Sequence, residues 1–427
     1  MQFLHIDGNT FYASVHRVFE PNLRGKPVIV LSNNDGCVVT RTAEAKSLGI
    51  KRGVPLFQIK DLVAKYGIEV RSSNFELYQS MSNRMMATIR TLVPMQEIYS
   101  IDEQFADVTN MPIGLTTLGH QVHDRVLKWT GIPTCVGIGP TKTLAKLCDH
   151  YAKIYPVFHS VLNWEDLSSE RQEKAWKITP VEEVWGIGGA LTTKLRALGV
   201  KTVYDFVRLP KTSVRKIGGV VLERTWLELQ GEVCIPLVET PPKRQQIVRS
   251  RSFGELITDK ESVLSAVSVH VASAARILRR EGTETTRLTV QFQSDPFKMD
   301  DPQYFANPTF EFECPTSDTL LLTHTACSLV DQAWKRGFKY RRAGVIFSQL
   351  VEEGSPILSQ SLFDDPSIEI DRTRRRKLMS VMDALTDNYG KTILQTASSV
   401  LSDKWHMKRD YLSPCYTTNW DDLLTVR

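Results

Sequence analysis

Two adjacent carboxylates, Asp102 and Glu103, lie between short runs rich in β-branched and aromatic residues. This pattern predicts a strand, a tight turn and a second strand. Successive side chains on a straight strand point to opposite faces, so the two carboxylates can converge only where the chain turns. Carboxylates this close repel each other unless a cation compensates them, and Mg²⁺ prefers hard oxygen ligands. The alternative is an acidic hairpin tip in water.

A third carboxylate, Asp7, ends the extended run that begins at Met1, just before the helix predicted from Thr10 to Phe19. A strand this close to the N-terminus can lie beside the hairpin in one sheet and bring Asp7 against Asp102. Three oxygen donors from separate segments suffice for two Mg²⁺ ions that also hold substrate phosphates. The sequence therefore predicts a site for metal-assisted phosphoryl transfer.

Composition limits the class of protein. A chain of 427 residues is too long for one hydrophobic core and should form several domains. Its net charge of +5 permits nucleic-acid binding without requiring it. Seven scattered cysteines form no Cys-x-x-Cys pair, which argues against a zinc site or a disulfide framework. Without a signal-peptide pattern or an apolar run of about 20 residues, we expect a soluble, cytoplasmic protein with no membrane contact.

The order of the predicted elements explains how the carboxylates can meet. Residues 1–20 and 75–165 read as strand, helix, hairpin, helix, strand, which is the ferredoxin-like order and places Asp7 and Asp102 on adjacent antiparallel strands. Residues 21–74 form a small insertion. A proline-rich linker at 240–246 precedes a second α+β unit, and periodicity is lost from Val351 onward.

Several basic or glycine-rich segments are candidates for phosphate binding. Lys142, Lys146 and Lys153 recur on one face of a helix predicted from Pro140 to Lys153, where they would meet a polyphosphate or simply face water. A P-loop is excluded because Thr141 occupies the position that needs glycine.

Further segments could contact a DNA backbone. The glycines of 186–188 precede a helix whose free backbone N–H groups could bind a phosphate, unless the turn is purely structural. Arg249 and Arg251 share a strand face, which suits a DNA backbone or is an ordinary basic face. The charge run 372–377 is solvated by default, although it could meet DNA or a partner protein.

The ordered set of motifs resembles the Y-family translesion DNA polymerases, and most of all their UmuC-type branch. The resemblance covers nearly the whole chain in order. Its motifs are Asp7–Ser14, Ser32–Val39, Tyr99–Glu103, Gly137–Lys146, Trp185–Gly188, Ser250–Glu255, Met407–Arg409 and Leu412–Thr418.

This resemblance implies an α+β multidomain fold, a right-hand polymerase. Its parts would be a ferredoxin-like palm (1–20 and 75–165), small fingers (21–74), a helical thumb with a helix-hairpin-helix (166–239), an α+β little finger (247–350) and a C-terminal tail that binds a clamp or partner (351–427). The implied activity is error-prone translesion synthesis in the bacterial SOS response. Deoxynucleotides would be added to a primer 3′-hydroxyl opposite damaged DNA.

The resemblance also assigns residues. Asp7, Asp102 and Glu103 would be catalytic and, with the Gly8 carbonyl, hold two Mg²⁺ ions. The implied nucleotide contacts are Asn9, Thr10, Phe11, Tyr12 as steric gate, Thr40, Lys46 and Lys153. The implied DNA contacts are Gly186, Gly188, Lys194, Arg249 and Arg251. The implied clamp contacts are Ser359, Gln360, Ser361, Leu362 and Phe363. Implied partners are primer-template DNA, deoxynucleoside triphosphates, a UmuD-type dimer, a RecA filament and a sliding clamp.

The chain departs from the family pattern in two places. It carries Ala43 and Lys46 where many members have Tyr and Arg, which weakens the fingers contacts because lysine lacks the bidentate fork. Gln360 lies one position closer than usual to the Leu362–Phe363 pair. Two other functions remain open: a nucleotidyl cyclase, which would not need the second basic domain, and a noncatalytic DNA-binding scaffold, which predicts that a carboxylate is lost.

Overall fold

The computed structural model describes residues 1–240, 242–355, 366–390 and 393–424, with side chains from Arg372 onward in the helix that begins at Pro366. The predicted clamp-binding residues 359–363 lie outside the described residues. The chain forms two compact units. The first comprises 1–32, 36–241 and 411–427, and the second comprises 33–35 and 242–410.

The first unit contains two sheets and ten α-helices among its described residues. Its strands are β1 (Phe3–Gly8), β2 (Val28–Leu31), β3 (Val38–Arg41), β4 (Glu69–Ser72), β5 (Met95–Ile98), β6 (Glu103–Asp107), β7 (Thr134–Gly139) and β8 (Val161–Asn163). Its helices are α1 (Phe11–Phe19), α2 (Ala43–Ser47), α3 (Lys60–Tyr66), α4 (Phe75–Arg90), α5 (Leu115–Thr130), α6 (Lys142–Ile154), α7 (Ser169–Ile178), α8 (Gly189–Ala197), α9 (Val203–Val207) and α10 (Lys211–Leu229).

The larger sheet has the order β5-β6-β1-β7-β8. The first four strands have the ferredoxin-like arrangement, since β1 is antiparallel to both β6 and β7, and β8 adds parallel to β7. The predicted α+β fold class is therefore confirmed. The smaller sheet, β3-β2-β4, covers its own cluster of buried aliphatic side chains.

Helix α4 fixes one face of the larger sheet. Its residues Leu77, Met81, Met85 and Ile89 recur at spacings of four and are buried in the core that this sheet covers. The helix begins where the Asn74 side chain accepts the Leu77 N–H at 3.2 Å. Burial of this stripe anchors the helix against the strands that carry the carboxylates.

The second unit is a sheet with helices packed on one face. Its strands are β9 (Gln246–Ile257), β10 (Thr283–Ser294), β11 (Phe305–Ala306), β12 (Thr309–Thr316) and β13 (Tyr340–Glu352), and its helices are α11 (Lys260–Arg280), α12 (Thr319–Ala333) and α13 (Pro366–Tyr389). The sheet order is β11-β10-β13-β9, and β12 also pairs with β10. Helix α11 is long and apolar enough to span a membrane, but 61% of that apolar window is buried in the core.

The C-terminal region corrects the expectation that regular structure ends near Val351. Helix α13 spans Pro366–Tyr389, and two arginines of its charge run bind carboxylates instead of being simply solvated. Arg372 binds Glu284 at 3.0 Å, and Arg375 binds Asp318 at 2.9 Å. Because the buried carboxylates need compensation, these arginines attach the helix to the second unit.

The last described segment packs on the first unit. The Ser72 N–H donates to the Tyr411 carbonyl at 2.9 Å, and the Asn74 side chain donates to the Ser413 carbonyl at 3.1 Å. Tyr416 stacks on Phe19 with ring centroids 4.9 Å apart. Residues 411–424 therefore complete the surface where α1, β4 and α4 begin or end.

Candidate active site in the palm sheet

The three predicted carboxylates lie at one end of the two central strands. Asp7 on β1 is directly opposite Glu103 on β6, so their side chains share a face of the sheet. The Gly8 N–H donates to the Asp102 carbonyl at 2.8 Å, which holds the hairpin turn against β1. Ser100 Oγ donates to Asp102 Oδ1 at 2.7 Å. All three carboxylates are half-buried at a single place in the fold.

Two lysines of α6 reach these carboxylates. Lys153 Nζ lies 2.8 Å from Asp7 Oδ1 and 2.6 Å from Asp149 Oδ2, and Lys146 binds Glu103. Burial alone would lower the pKa of Lys153, but Asp149 and Asp7 outweigh burial and raise it. The lysine therefore remains charged at neutral pH, as a phosphate ligand must.

Lys142 behaves differently from the other two lysines, contrary to the expectation of a phosphate-binding or solvated face. Its side chain is 1% exposed and binds the Glu97 carboxylate and the Pro236 carbonyl. An ammonium this deeply buried requires such partners, which leave it no access to a triphosphate. The helix also begins two residues later than predicted, at Lys142, because Thr141 is its N-cap and Pro140 precedes it.

Sequence reasoning missed two buried residues beneath the carboxylates. His5 lies 3.5 Å from both Glu103 and Asp149, and both His5 and Asp149 are almost completely buried. Signals for both were present in the sequence. His5 shares a strand face with Asp7 by the period of two, and Asp149 precedes Lys153 by one helical turn.

Burial is the main influence on the ionisation of Asp7. Burial, together with Asp149 and Glu103, raises the pKa of Asp7 to about 7 despite Lys153. Burial also acts to raise the pKa of Glu103, but His5 and Lys146 reverse this effect and hold it well below its usual range. A buried carboxylate that resists ionisation, placed beside two further carboxylates, belongs to a donor set that a divalent cation stabilises.

The residues present thus fit a divalent metal ion. Among the residues that the structure describes, no three histidine, cysteine or acidic side chains already form a compact metal-ligand cluster. Lysine ammonium groups compensate Asp7 and Glu103 instead. A cation bound by these oxygens would replace that compensation, since it supplies opposite charge at the same point.

We expect Asp7→Asn to stabilise the protein in EDTA. The folded-state pKa of about 7 lies above the ordinary value of 3.8, so the stability that Asp7 contributes is lost as pH rises through about 7. The variant should therefore raise Tm by about 3 °C at pH 8 and by less at pH 5. Thermal melts at both pH values check this. Asp124→Asn, which makes the same change at an exposed position of α5, is the control. A lower Tm for Asp7→Asn at both pH values would contradict this prediction.

The predicted nucleotide contacts at the start of α1 are only partly available. Phe11 is 2% exposed and packs in the core, so only its backbone can meet a ligand. Asn9 donates to Cys135 Sγ at 3.1 Å, and Thr10 adopts a left-handed conformation with φ 46°. The Tyr12 ring is half-buried and stacks on Tyr78, with centroids 4.2 Å apart and planes 10° from parallel.

The two fingers candidates differ in exposure. Thr40 lies on β3 and is buried, whereas Lys46 lies on α2 and is exposed. The helix that carries Lys46 is capped by Thr42, which accepts the Ala45 N–H. The lysine is therefore held on a short, capped helix with its side chain in solvent.

The thumb candidates lie where a turn enters α8. Gly186 has φ +89°, a conformation that favours glycine, and Gly188 caps the helix. Lys194 is exposed on the same helix. Trp185 links this turn to the hairpin that carries Asp102 and Glu103, because its Nε1 donates to the Tyr99 hydroxyl at 3.1 Å.

Arg249 and Arg251 do share a face of β9, but it is the face on which the helices pack. They are paired across the ladder with Val345 and Ala343, both of which are buried. The two arginines line a cavity beside α11 rather than an open sheet surface. Arg342, one residue from Ala343, lies on the opposite face and is exposed.

The fold is that of a Y-family DNA polymerase. A solved Y-family DNA polymerase chimera of Dbh and Dpo4 matches with a TM-score of 0.62 and 21% identity, covering 83% of this chain and all of that one. At this identity the likeness shows the fold alone.

Sequence comparison defines the family more narrowly. The impB/mucB/samB family model matches residues 6–150, its C-terminal domain matches 244–361, and a domain of unknown function, DUF4113, matches 376–426. Protein UmuC of Salmonella typhimurium is 42% identical over all of both chains. Protein ImpB of Salmonella typhimurium is 42% identical over all of this chain and 99% of its own.

The chain belongs to the impB/mucB/samB family and is a Y-family DNA polymerase of the UmuC type. Its activity is translesion DNA synthesis, and its family uses a divalent metal. All three carboxylates are present and brought together, which does not favour the noncatalytic scaffold. The alternative of a nucleotidyl cyclase is not favoured either, because the family match extends through the second unit.

Proposed function

We propose that Asp7, Asp102, Glu103 and the Gly8 carbonyl hold two Mg²⁺ ions during nucleotidyl transfer. The observation that supports this most strongly is the convergence of three carboxylates from two paired strands, with Asp7 resisting ionisation. When bound, the ions lower the pKa of the primer 3′-hydroxyl and neutralise the triphosphate and the leaving pyrophosphate. Phosphoryl transfer depends mostly on positioning and charge stabilisation, so no histidine or cysteine nucleophile is required.

The incoming triphosphate is held by residues around the carboxylates. Lys153, oriented by Asp149 from one turn earlier on α6, supplies a charged ammonium group. The first backbone N–H groups of α1, at Phe11 and Tyr12, have no intrahelical partner and favour an anion. Asn9, Thr10, Thr40 and Lys46 complete the proposed nucleotide contacts.

Tyr12 is proposed as the steric gate. Its ring is fixed against Tyr78, so a sugar placed beside it meets a rigid wall. A 2′-hydroxyl would clash with that wall, and deoxynucleotides would be favoured.

Primer-template DNA and deoxynucleoside triphosphates are the proposed substrates. The glycine turn at Gly186 and Gly188 and the exposed Lys194 support a phosphate contact without base readout. Contact of Arg249 and Arg251 with DNA stays a prediction, because these arginines line a cavity on the helix-packed face.

The division into palm, fingers, thumb, little finger and tail is likewise proposed, with the bounds given above. A UmuD-type dimer, a RecA filament and a sliding clamp are proposed partners. The proposed location is the bacterial cytoplasm, with nucleoid association when the enzyme is active. The SOS role follows the family to which the chain belongs.

Primer extension past an abasic template site tests the proposal. We expect extension that requires Mg²⁺ and deoxynucleotides and that proceeds through the lesion. The assay should be run with the chain alone and with UmuD-type protein and RecA filament supplied. A lack of metal-dependent extension under both conditions would overturn the proposed mechanism.

Lys153→Ala should raise the KM for the incoming deoxynucleotide by about tenfold, because a charge-assisted contact of roughly 1.5 kcal/mol is lost. Steady-state kinetics with a fixed primer-template measure this change. Lys128→Ala, an exposed lysine of α5, is the matched control and should leave KM unchanged. An unaltered KM in Lys153→Ala would remove this lysine from the triphosphate site.

A further inference from the structure

The second unit contains a cavity of about 620 Å³ that the polymerase reaction does not use. Strand β9, helix α11, helix α13 and the segment from Leu394 to Trp405 contribute its walls. The DUF4113 model matches 376–426, so the last two wall elements fall largely within a region of unknown function. Residues of this region therefore form part of the cavity wall.

The charge of the cavity is positive and only partly compensated. Arg279 of α11 binds Asp383 through two contacts of 2.7 Å, Arg280 binds Asp387 at 3.0 Å, and Arg276 also binds Asp387. Among the described residues, no carboxylate lies within ion-pair distance of the remaining pair, Arg249 and Arg251. These two exposed guanidinium groups project from one strand face toward the cavity. Two guanidinium groups without a carboxylate partner can bind an anion.

His270 gives an independent indication of a ligand. It lines the same cavity and is only 6% exposed, yet its Nε2 has no hydrogen-bond partner among the described residues. Burial, together with the nearby positive charges of Arg251 and Arg249, lowers the pKa of His270 to about 4. A buried polar atom normally has a partner, so this nitrogen is available to a bound group.

The apolar walls of the cavity indicate that the ligand also has an apolar part. They are mainly aliphatic, formed by Val248, Val269, Ile277, Met382 and Leu394. The one tryptophan of the cavity, Trp405, is 7% exposed, meets the His270 ring edge-on at 5.7 Å and donates to Ser265. Little of its ring face is free to stack on a base, whereas aliphatic walls accept an aliphatic side chain.

We propose that this cavity is the docking site for an acidic peptide segment of a partner protein. A carboxylate of the peptide would bind the Arg249 and Arg251 forks, and a neighbouring aliphatic side chain would lie between Met382 and Leu394. Charge complementarity selects the acidic group, and the aliphatic walls select a peptide over a nucleotide. The DUF4113 region thereby acts as one wall of a protein-binding site.

Fluorescence anisotropy with the full chain tests the proposal. The probe is a fluorescein-labelled peptide of alternating aspartate and leucine; a peptide of alternating asparagine and leucine and a labelled oligothymidylate are the comparisons. We expect the acidic peptide to bind at least about tenfold more tightly than the asparagine peptide. The double substitution Arg249→Ala with Arg251→Ala should weaken it by a similar factor. Thermal melts followed by circular dichroism identify any variant that fails to fold.

Two further variants distinguish binding in this cavity from nonspecific attraction of the acidic peptide to a basic surface. Arg342→Ala removes the same charge from the opposite face of the sheet and should change peptide affinity less than twofold. Leu394→Asp keeps both arginines but places a negative charge at the apolar wall, where it repels the acidic peptide. This variant should weaken peptide binding at least about tenfold. If aspartate and asparagine peptides bind equally, or if oligothymidylate alone depends on Arg249 and Arg251, the proposal is overturned. The latter result would instead make the cavity a nucleic-acid site.

Discussion

Primer extension by the Asp102→Asn variant is expected to fall roughly 10²- to 10³-fold or more, with primer-template affinity unchanged. Asparagine has almost the same shape as aspartate, and the Asp102 backbone carbonyl would still accept the Gly8 N–H. What is lost is a negative charge at the point where Asp7 and Glu103 also converge. Single-turnover extension and anisotropy of a labelled primer-template measure the two quantities separately.

Asp124→Asn is the matched control for this experiment. It makes the same chemical change on an exposed position of α5, in the same unit, and should retain full activity. Extension by Asp102→Asn within about threefold of the unchanged chain would show that this carboxylate does not bind a catalytic ion. A parallel loss of primer-template affinity would instead indicate misfolding of the hairpin.

The second large effect is expected at Tyr12. Tyr12→Ala should reduce discrimination between deoxynucleotides and ribonucleotides, measured as the ratio of their kcat/KM values, by about a hundredfold, or about 2.7 kcal/mol. The ring is held in place by its stack on Tyr78, whose hydroxyl in turn bonds His16 Nε2 at 2.8 Å. A wall fixed in this way cannot move aside for a 2′-hydroxyl.

Tyr12→Phe separates the ring from its hydroxyl. The phenylalanine ring can keep the stack on Tyr78, so discrimination should stay within about threefold of the unchanged value. If Tyr12→Ala leaves ribonucleotide exclusion unaltered, Tyr12 is only a packing residue. If Tyr12→Phe loses discrimination as fully as Tyr12→Ala, the hydroxyl rather than the ring is responsible.

The sequence predicted the palm sheet well because its signals are local and redundant. The extended run before Asp7 forms β1 as predicted, and the order of the elements places it beside the hairpin. The convergence of Asp7, Asp102 and Glu103 could be predicted because strand pairing has few alternatives in this element order. The ordered set of motifs then indicated the family, which no single motif could have done alone.

Other features depend on tertiary burial and could not be predicted. Spacing alone placed Lys142 beside Lys146 and Lys153, yet only the folded chain brings Glu97 and the Pro236 carbonyl to it. The period of two correctly predicted that Arg249 and Arg251 share one face of β9. The period does not indicate which face of the sheet the helices cover. Helix α13 was missed because arginine–carboxylate contacts, rather than an apolar stripe, attach much of it.

The first unit is discontinuous along the chain, which matters for any attempt to dissect the enzyme. A fragment that stops at residue 240 would lack Tyr411, Ser413 and Tyr416, and would leave the Ser72 N–H and the Phe19 ring uncovered. A premature stop late in the reading frame therefore damages the folding of the catalytic half as well as the tail. Expression of that half alone calls for residues 411–424 to be grafted back through a short artificial connection.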